Sequence, residues 1–102
     1  MRFLVKATIP VEAGNAMVRD PNFQKSMETV MGVIRPEAVY FTVDDGQRTL
    51  YLIVNMENPE DMPRIAEPLW LSWKANVTFL PAFTVEDMEK AMPMIGEIAK
   101  KY

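Results

Sequence analysis

Residues 2–9 alternate between apolar and polar side chains. The odd positions carry the apolar residues Phe3, Val5, Ala7 and Ile9, and most of the even positions are polar. A period of two residues is typical of a β-strand with one buried face. The pattern therefore predicts a first strand that ends before Pro10.

The apolar spacing changes to that of a helix over residues 11–35. The residues that fall near one helical face are Ala16, Phe23, Met27, Val30, Met31 and Ile34. Asp20 is a favourable N-cap and Pro21 suits a first helical position, so we expect a break or a new helix start there. Pro36 should end this helical region.

Two alternating runs flank Asp45-Gly46, a pair that supplies the positive φ angles of a type I′ turn. Such a turn pairs Thr42 with Thr49, Phe41 with Leu50, Tyr40 with Tyr51 and Val39 with Leu52. This register sorts the hairpin into two faces. The predicted covered face carries Val39, Phe41, Val43, Leu50, Leu52, Val54 and Met56. The opposite face carries Ala38, Tyr40, Thr42, Thr49, Tyr51, Ile53 and Asn55.

The residue pattern after the hairpin predicts a second helix, a fourth strand and a C-terminal helix. Asn58 and Pro59 should begin the second helix, and Pro68 should split it. The fourth strand is "NVTFLPAF", in which Pro81 suits a sheet edge. Thr84 and Asp87 form the capping box of the last helix, whose predicted apolar face is Val85, Met88, Met92, Ile95, Ala99 and Tyr102.

The element order β-α-β-β-α-β predicts a single α+β domain over residues 1–102. The expected architecture is ferredoxin-like, with a four-stranded antiparallel sheet, helices on one face, and an additional C-terminal helix. The second sheet face is too apolar to lie in water and too polar for a monomer core. We therefore expect a homodimer formed through that sheet face.

Composition excludes several kinds of chemistry. The chain has a net charge of −3 and no basic stripe, which disfavours nucleic-acid binding. It has no cysteine and no histidine, which are common metal ligands, and we expect neither a metal site nor a cofactor. The lack of cysteine also favours a cytoplasmic location. No membrane-spanning or signal segment is expected.

The segments "EAVYFTVDDGQRTLYLIVNMENPEDM" and "FLPAFTVEDMEKAM" resemble the dimeric α+β barrel superfamily, most closely its small uncharacterised bacterial members. The resemblance implies two sheets that face each other as a barrel, with cavities between each sheet and its helices. Characterised groups of the superfamily include muconolactone isomerase-like proteins and antibiotic biosynthesis monooxygenases. Activities that depend on a histidine cannot be transferred to this chain.

Seven residues are candidate ligand contacts. Trp70 and Trp73 can line an apolar pocket beside the fourth strand, or serve the core and a dimer edge. Tyr40 and Tyr51 can bind a ligand or stabilise the sheet as a cross-strand pair. The other candidates are Arg2 and Lys6, which can pair with an anion or with carboxylates at an interface, and Asn55, a possible polar anchor.

Three functions stay open. The first is a homodimeric protein that binds a small apolar or aromatic molecule between sheet and helices. The second is a cofactor-free isomerase or monooxygenase-like enzyme that uses Tyr, Arg and Lys groups. The third is a pure protein-interaction module, without an internal cavity. The lack of an evident acid–base pair favours the first.

Overall fold

The computed structural model describes all 102 residues and contains one four-stranded antiparallel sheet in the order β2-β3-β1-β4. The strands are β1 (Arg2–Ile9), β2 (Ala38–Asp44), β3 (Gln47–Asn55) and β4 (Asn76–Ala82). The helices are α1 (Val11–Arg19), α2 (Phe23–Ile34), α3 (Asp61–Trp73) and α4 (Val85–Ala99). The fold is α+β, as predicted, and is compatible with a ferredoxin-like arrangement.

The β2–β3 hairpin forms with the predicted turn and register. Asp45 and Gly46 have φ angles of 52° and 72°, as a type I′ turn requires. Tyr40 lies opposite Tyr51, and all the other predicted pairs are also observed. The turn therefore sets which residues share a face over the whole hairpin.

The helical region of residues 11–35 is divided as expected, although α2 begins at Phe23 rather than at Pro21. The side chain of Asp20 accepts a hydrogen bond of 2.9 Å from the backbone N–H of Asn22, which stabilises the turn between α1 and α2. Arg35, just before Pro36, has a φ of 54° and ends α2.

Two predictions for α3 are wrong. Pro68 does not split the helix, which runs without interruption from Asp61 to Trp73. Leu69 and Trp73, which follow Pro68, are both buried, so their packing against the sheet outweighs the hydrogen bond that proline cannot make. The helix also starts at Asp61 rather than at Pro59, because the N–H groups of Asp61 and Met62 bond to the carbonyl groups of Asn58 and Pro59 in a tighter turn.

One face of the sheet packs against α1, α2 and α3 and holds the core. Its buried residues come from β1, β3, α2, α3 and the segments that flank them: Val5, Ala7, Ile9, Val30, Ile34, Leu50, Leu52, Val54, Met56, Ile65, Leu69, Trp73 and Ala75. This is the face that the hairpin register predicted as covered. The core therefore lies between three helices and the two central strands.

Phe41 and Val43 depart from that prediction. Both belong to the covered side of β2 by register, but they are 65% and 71% exposed. β2 is an edge strand, and the helices leave its turn end uncovered. An apolar surface therefore remains beside α1 and α2.

Helix α4 begins at the predicted capping box and extends away from the rest of the domain. Thr84 and Asp87 exchange hydrogen bonds of 3.0 and 3.1 Å. No residue of α4 is buried, and its contacts with the other elements are marginal. The radius of gyration is 17.0 Å, whereas a compact chain of this length has about 13 Å. None of the four helices has the length and apolar content needed to cross a membrane.

Candidate functional site

The sheet face that α1, α2 and α3 do not cover is called the open face here. Its side chains lie in rows that run across the four strands. The apolar row is Leu80, Leu4, Ile53 and Ala38, and the next row is Thr78, Lys6, Tyr51 and Tyr40. A third row consists of Asn76, Thr8, Thr49 and Thr42. A further row with Arg2, Asn55 and Ala82 lies beyond Leu4, so the apolar row is flanked by polar or charged rows on both sides.

A charged cluster crosses the open face from β1 to β2. The ammonium group of Lys6 forms an ion pair with the carboxylate of Asp44. The hydroxyl of Tyr51, which lies on β3 between them, donates a hydrogen bond of 3.5 Å to Oδ2 of Asp44. Tyr40 lies directly opposite Tyr51 and is 65% exposed.

The ion pair fixes the protonation states of both partners. The hydrogen bond to Asp44 raises the pKa of Lys6, and the same bond lowers the pKa of Asp44. A catalytic amine must lose its proton near neutral pH, so its pKa has to be lowered. Lys6 is shifted in the opposite direction, and it is therefore suited to charge pairing rather than to proton abstraction.

Arg2 and Asn55 meet at the end of the sheet where α4 begins. They line a cleft of about 490 Å³ together with Glu37, Phe83 and Asp87. Both side chains already have partners, because Arg2 pairs with Glu37 at 3.0 Å and Asn55 accepts a hydrogen bond from the amino group of Met1. The cleft has both polar and apolar lining residues, and the charge of Arg2 is neutralised by Glu37 within the chain.

A second, apolar hollow lies between α3 and β4 and is called the Trp70 groove here. Its volume is about 400 Å³, and its lining residues are Pro59, Met62, Pro63, Ala66, Glu67, Trp70, Val77 and Phe79. The ring of Phe79 meets that of Phe3 edge to face, with centroids 6.3 Å apart. This contact holds one wall of the groove in place. Glu67 is the only charged residue that lines it.

The two tryptophans of α3 have different surroundings. Trp70 is 47% exposed and lines the groove, whereas Trp73 is 1% exposed and belongs to the core. The indole N–H of Trp73 has no hydrogen-bond partner. Of the predicted pair, Trp70 alone is thus available to a ligand.

The predicted ligand contacts fall into separate groups. Lys6, Tyr40 and Tyr51 share one row of the open face, and Arg2 and Asn55 lie at the end of that face. Trp70 lies on the helix side of the sheet. The seven residues do not line one pocket.

Sequence reasoning missed the role of Asp44 and the hollow beside Phe41. Asp44 lies four residues after Tyr40 on β2, so the alternation of the strand places both residues on the same face. This position could have indicated Asp44 as a partner for Lys6. The second hollow, called the Phe41 groove here, depends on how far α1 and α2 extend over β2, and no local pattern encodes that. Its volume is about 220 Å³, and it is lined by Ile9, Met17, Val18, Phe23, Met27, Phe41, Thr42, Arg48, Thr49 and Leu50.

No protein-family model matches this chain, and no curated protein sequence matches it. The class of the molecule is accordingly defined by its structure: an α+β domain with a four-stranded antiparallel sheet, one uncovered sheet face and a projecting C-terminal helix.

Proposed function

We propose that this protein is a homodimer of the dimeric α+β barrel type that binds a small, uncharged aromatic or apolar molecule in the Trp70 groove. The observation that carries the binding function is the groove itself, an apolar hollow of about 400 Å³ with an exposed tryptophan at its rim. Small-molecule sites are concave and mainly apolar, with few polar groups.

The lining residues restrict the class of ligand. Met62, Val77 and Phe79 offer apolar and aromatic contacts, and the indole of Trp70 can stack on a flat ring. Glu67 repels a carboxylate or phosphate at the same place. A neutral aromatic compound therefore fits this groove better than an aromatic acid.

The open face supports the dimer. Its apolar row, Leu80, Leu4, Ile53 and Ala38, crosses the whole sheet and meets a tyrosine pair in the next row. Covering such a surface with a second copy removes it from water. Lys6 and Arg2 each have a carboxylate partner in their own chain, so association buries no unpaired cation.

The catalytic alternative has weaker support. An isomerase or monooxygenase mechanism built on this chain needs a group that exchanges protons near neutral pH. The raised pKa of Lys6 and the lowered pKa of Asp44 hold both groups in their charged forms. A binding function requires no such exchange.

The binding function is tested by titration calorimetry with 2-naphthol as a neutral probe and 2-naphthoic acid as its charged analogue. We expect 2-naphthol to bind with an affinity at least about tenfold higher than that of the acid. Trp70→Ala should abolish binding, whereas Leu71→Ala, which alters an exposed neighbour outside the groove, should not. Equal binding by wild type and Trp70→Ala would contradict the assignment.

A further inference from the structure

A cleft without any apolar lining residue lies where α2 and β3 end and α3 begins, and it is called the polar cleft here. Its lining residues are Arg35, Asn55, Glu57, Asn58, Asp61 and Arg64. The volume is about 380 Å³, and small-molecule sites usually measure about 300–1,000 Å³. The polar cleft shares no residue with the Trp70 groove, so it is a separate candidate site.

Two of the six side chains hold the backbone around the polar cleft in place. The guanidinium group of Arg64 donates hydrogen bonds of 3.0 and 2.8 Å to the last two carbonyl groups of α2, and it lies 3.6 Å from the carboxylate of Asp61. That carboxylate accepts the backbone N–H groups of Glu57 and Asn58. The end of α2, the segment before α3 and α3 itself are thus connected before any ligand binds, which lowers the entropic cost of binding.

The other four side chains carry polar groups that have no partner within the chain. Arg35 and Glu57 have opposite charges, yet neither forms an ion pair. The side-chain amide of Asn58 makes no hydrogen bond, and Asn55 uses only its Oδ1 atom, which accepts from the amino group of Met1. One cation, one anion and two amide groups therefore remain free around the same cleft.

We propose that the polar cleft binds a free α-amino acid with an uncharged polar side chain. Arg35 pairs with the carboxylate of the ligand and Glu57 pairs with its ammonium group, both as charge-assisted hydrogen bonds. Asn55 and Asn58 bond to the polar side chain. An apolar side chain is disfavoured because the cleft offers it no apolar contact.

The charges of the polar cleft favour a zwitterion over a simple ion. Two of its lining residues are cationic and two are anionic, so the site is neutral as a whole. A ligand with only a carboxylate would meet the unpaired charge of Glu57, and a ligand with only an ammonium group would meet that of Arg35. A zwitterion satisfies both residues at once.

The backbone of Arg35 is a second feature of this site. Its φ of 54° lies in the left-handed region, at the position after a helix where glycine is most common. A side chain there raises the conformational energy of the backbone. The chain thus places a free guanidinium group beside the cleft at a position where glycine would be less strained.

The binding function of the polar cleft is tested by NMR titration of the full chain with L-glutamine, L-asparagine and L-serine. Two analogues of L-glutamine each lack one charge: 4-carbamoylbutanoate lacks the ammonium group, and 4-aminobutanamide lacks the carboxylate. We expect L-glutamine to shift the amide signals of Glu57 and Asn58 and to bind at least about tenfold more tightly than either analogue. Equal binding of an analogue, or no response to any of the three amino acids at about 20 mM, would overturn the proposal.

Arg35→Gly separates binding from stability. This variant should weaken L-glutamine binding at least about tenfold, whereas its melting temperature should not fall, because glycine adopts a positive φ without strain. Arg19→Ala, which removes an exposed arginine that does not line the cleft, is the control and should bind as wild type does. Unchanged binding by Arg35→Gly would contradict the role of its guanidinium group.

Glu57→Gln tests the ammonium contact. The preference for L-glutamine over 4-carbamoylbutanoate should fall at least about tenfold, because the carboxylate that pairs with the ammonium group is gone. Glu60→Gln, which alters a nearby carboxylate outside the cleft, should keep the preference. An equal loss of affinity for both compounds in Glu57→Gln would refute the contact, and loss of L-glutamine binding in Trp70→Ala would refute a site separate from the Trp70 groove.

Discussion

Trp70 and Trp73 lie three residues apart on α3, yet Trp73 is enclosed in the core and Trp70 is exposed at the rim of a groove. Truncation of Trp73 to alanine should lower the free energy of unfolding by about 3–5 kcal/mol, because it leaves a cavity in the core. Trp70→Ala should lower it by less than about 1 kcal/mol.

Urea denaturation at one fixed protein concentration measures both changes. Equal losses of stability for the two variants would show that Trp70 is as important to packing as Trp73, and the groove would then be part of the core rather than a site.

The hairpin turn should tolerate substitution poorly at Gly46. Its φ of 72° lies in the left-handed region, so Gly46→Ala should destabilise the fold by about 1–2 kcal/mol. Gly32→Ala is the matched control, because Gly32 lies within α2 and an added methyl group there would meet no neighbouring atom. That variant should stabilise the fold by about 0.5–1 kcal/mol.

Thermal unfolding of the two alanine variants distinguishes these effects. The same chemical change should move the melting temperature in opposite directions, and a shift in one common direction would contradict the assigned backbone geometry.

Acid should destabilise the fold partly through Asp61. Hydrogen bonds from the backbone N–H groups of Asn58 and Glu57 lower the pKa of Asp61 in the folded state. Because the folded pKa lies below the unfolded one, the stabilisation is complete above about pH 4 and is lost as the pH falls through the folded pKa.

The Asp61→Asn variant should therefore be less stable at pH 7 and lose less stability on acidification than wild type. Glu60→Gln, which changes an adjacent exposed carboxylate without these backbone bonds, should leave the profile nearly unchanged. Parallel acid profiles for wild type and Asp61→Asn would refute this role.

Charge reversal on the open face should weaken association. Lys6→Glu places a second carboxylate beside Asp44 in the surface that the proposed dimer buries. The dissociation constant of the dimer should rise at least about tenfold, as measured by sedimentation. Lys90→Glu, a reversal of an exposed cation on α4 outside the predicted apolar face of that helix, should have a smaller effect.

Much of the fold could be predicted because its signals are local. The Asp45-Gly46 turn sets the register of the β2–β3 hairpin, and the alternation of side chains in β1 and β3 then determines which of them are buried. The prediction that Pro68 splits α3 was wrong because it considered only local helix propensity. The burial of Leu69 and Trp73 in the core is a tertiary effect that outweighs this propensity.

The candidate site was predictable only in part. The predicted alternative that places Trp73 in the core is confirmed, whereas the groove beside Trp70 depends on how α3 packs against β4. The exposure of α4 could not be predicted either, because an amphipathic pattern gives no information about which surface covers the helix.

The proposed homodimer requires that a second copy cover the open face. Light scattering coupled to size-exclusion chromatography, at about 20 µM chain, measures this assembly without any substitution. We expect a particle of twice the 11.7 kDa mass of one chain. A particle with the mass of a single chain would contradict the homodimer, because Tyr40 and the apolar row of the open face would then be exposed to water.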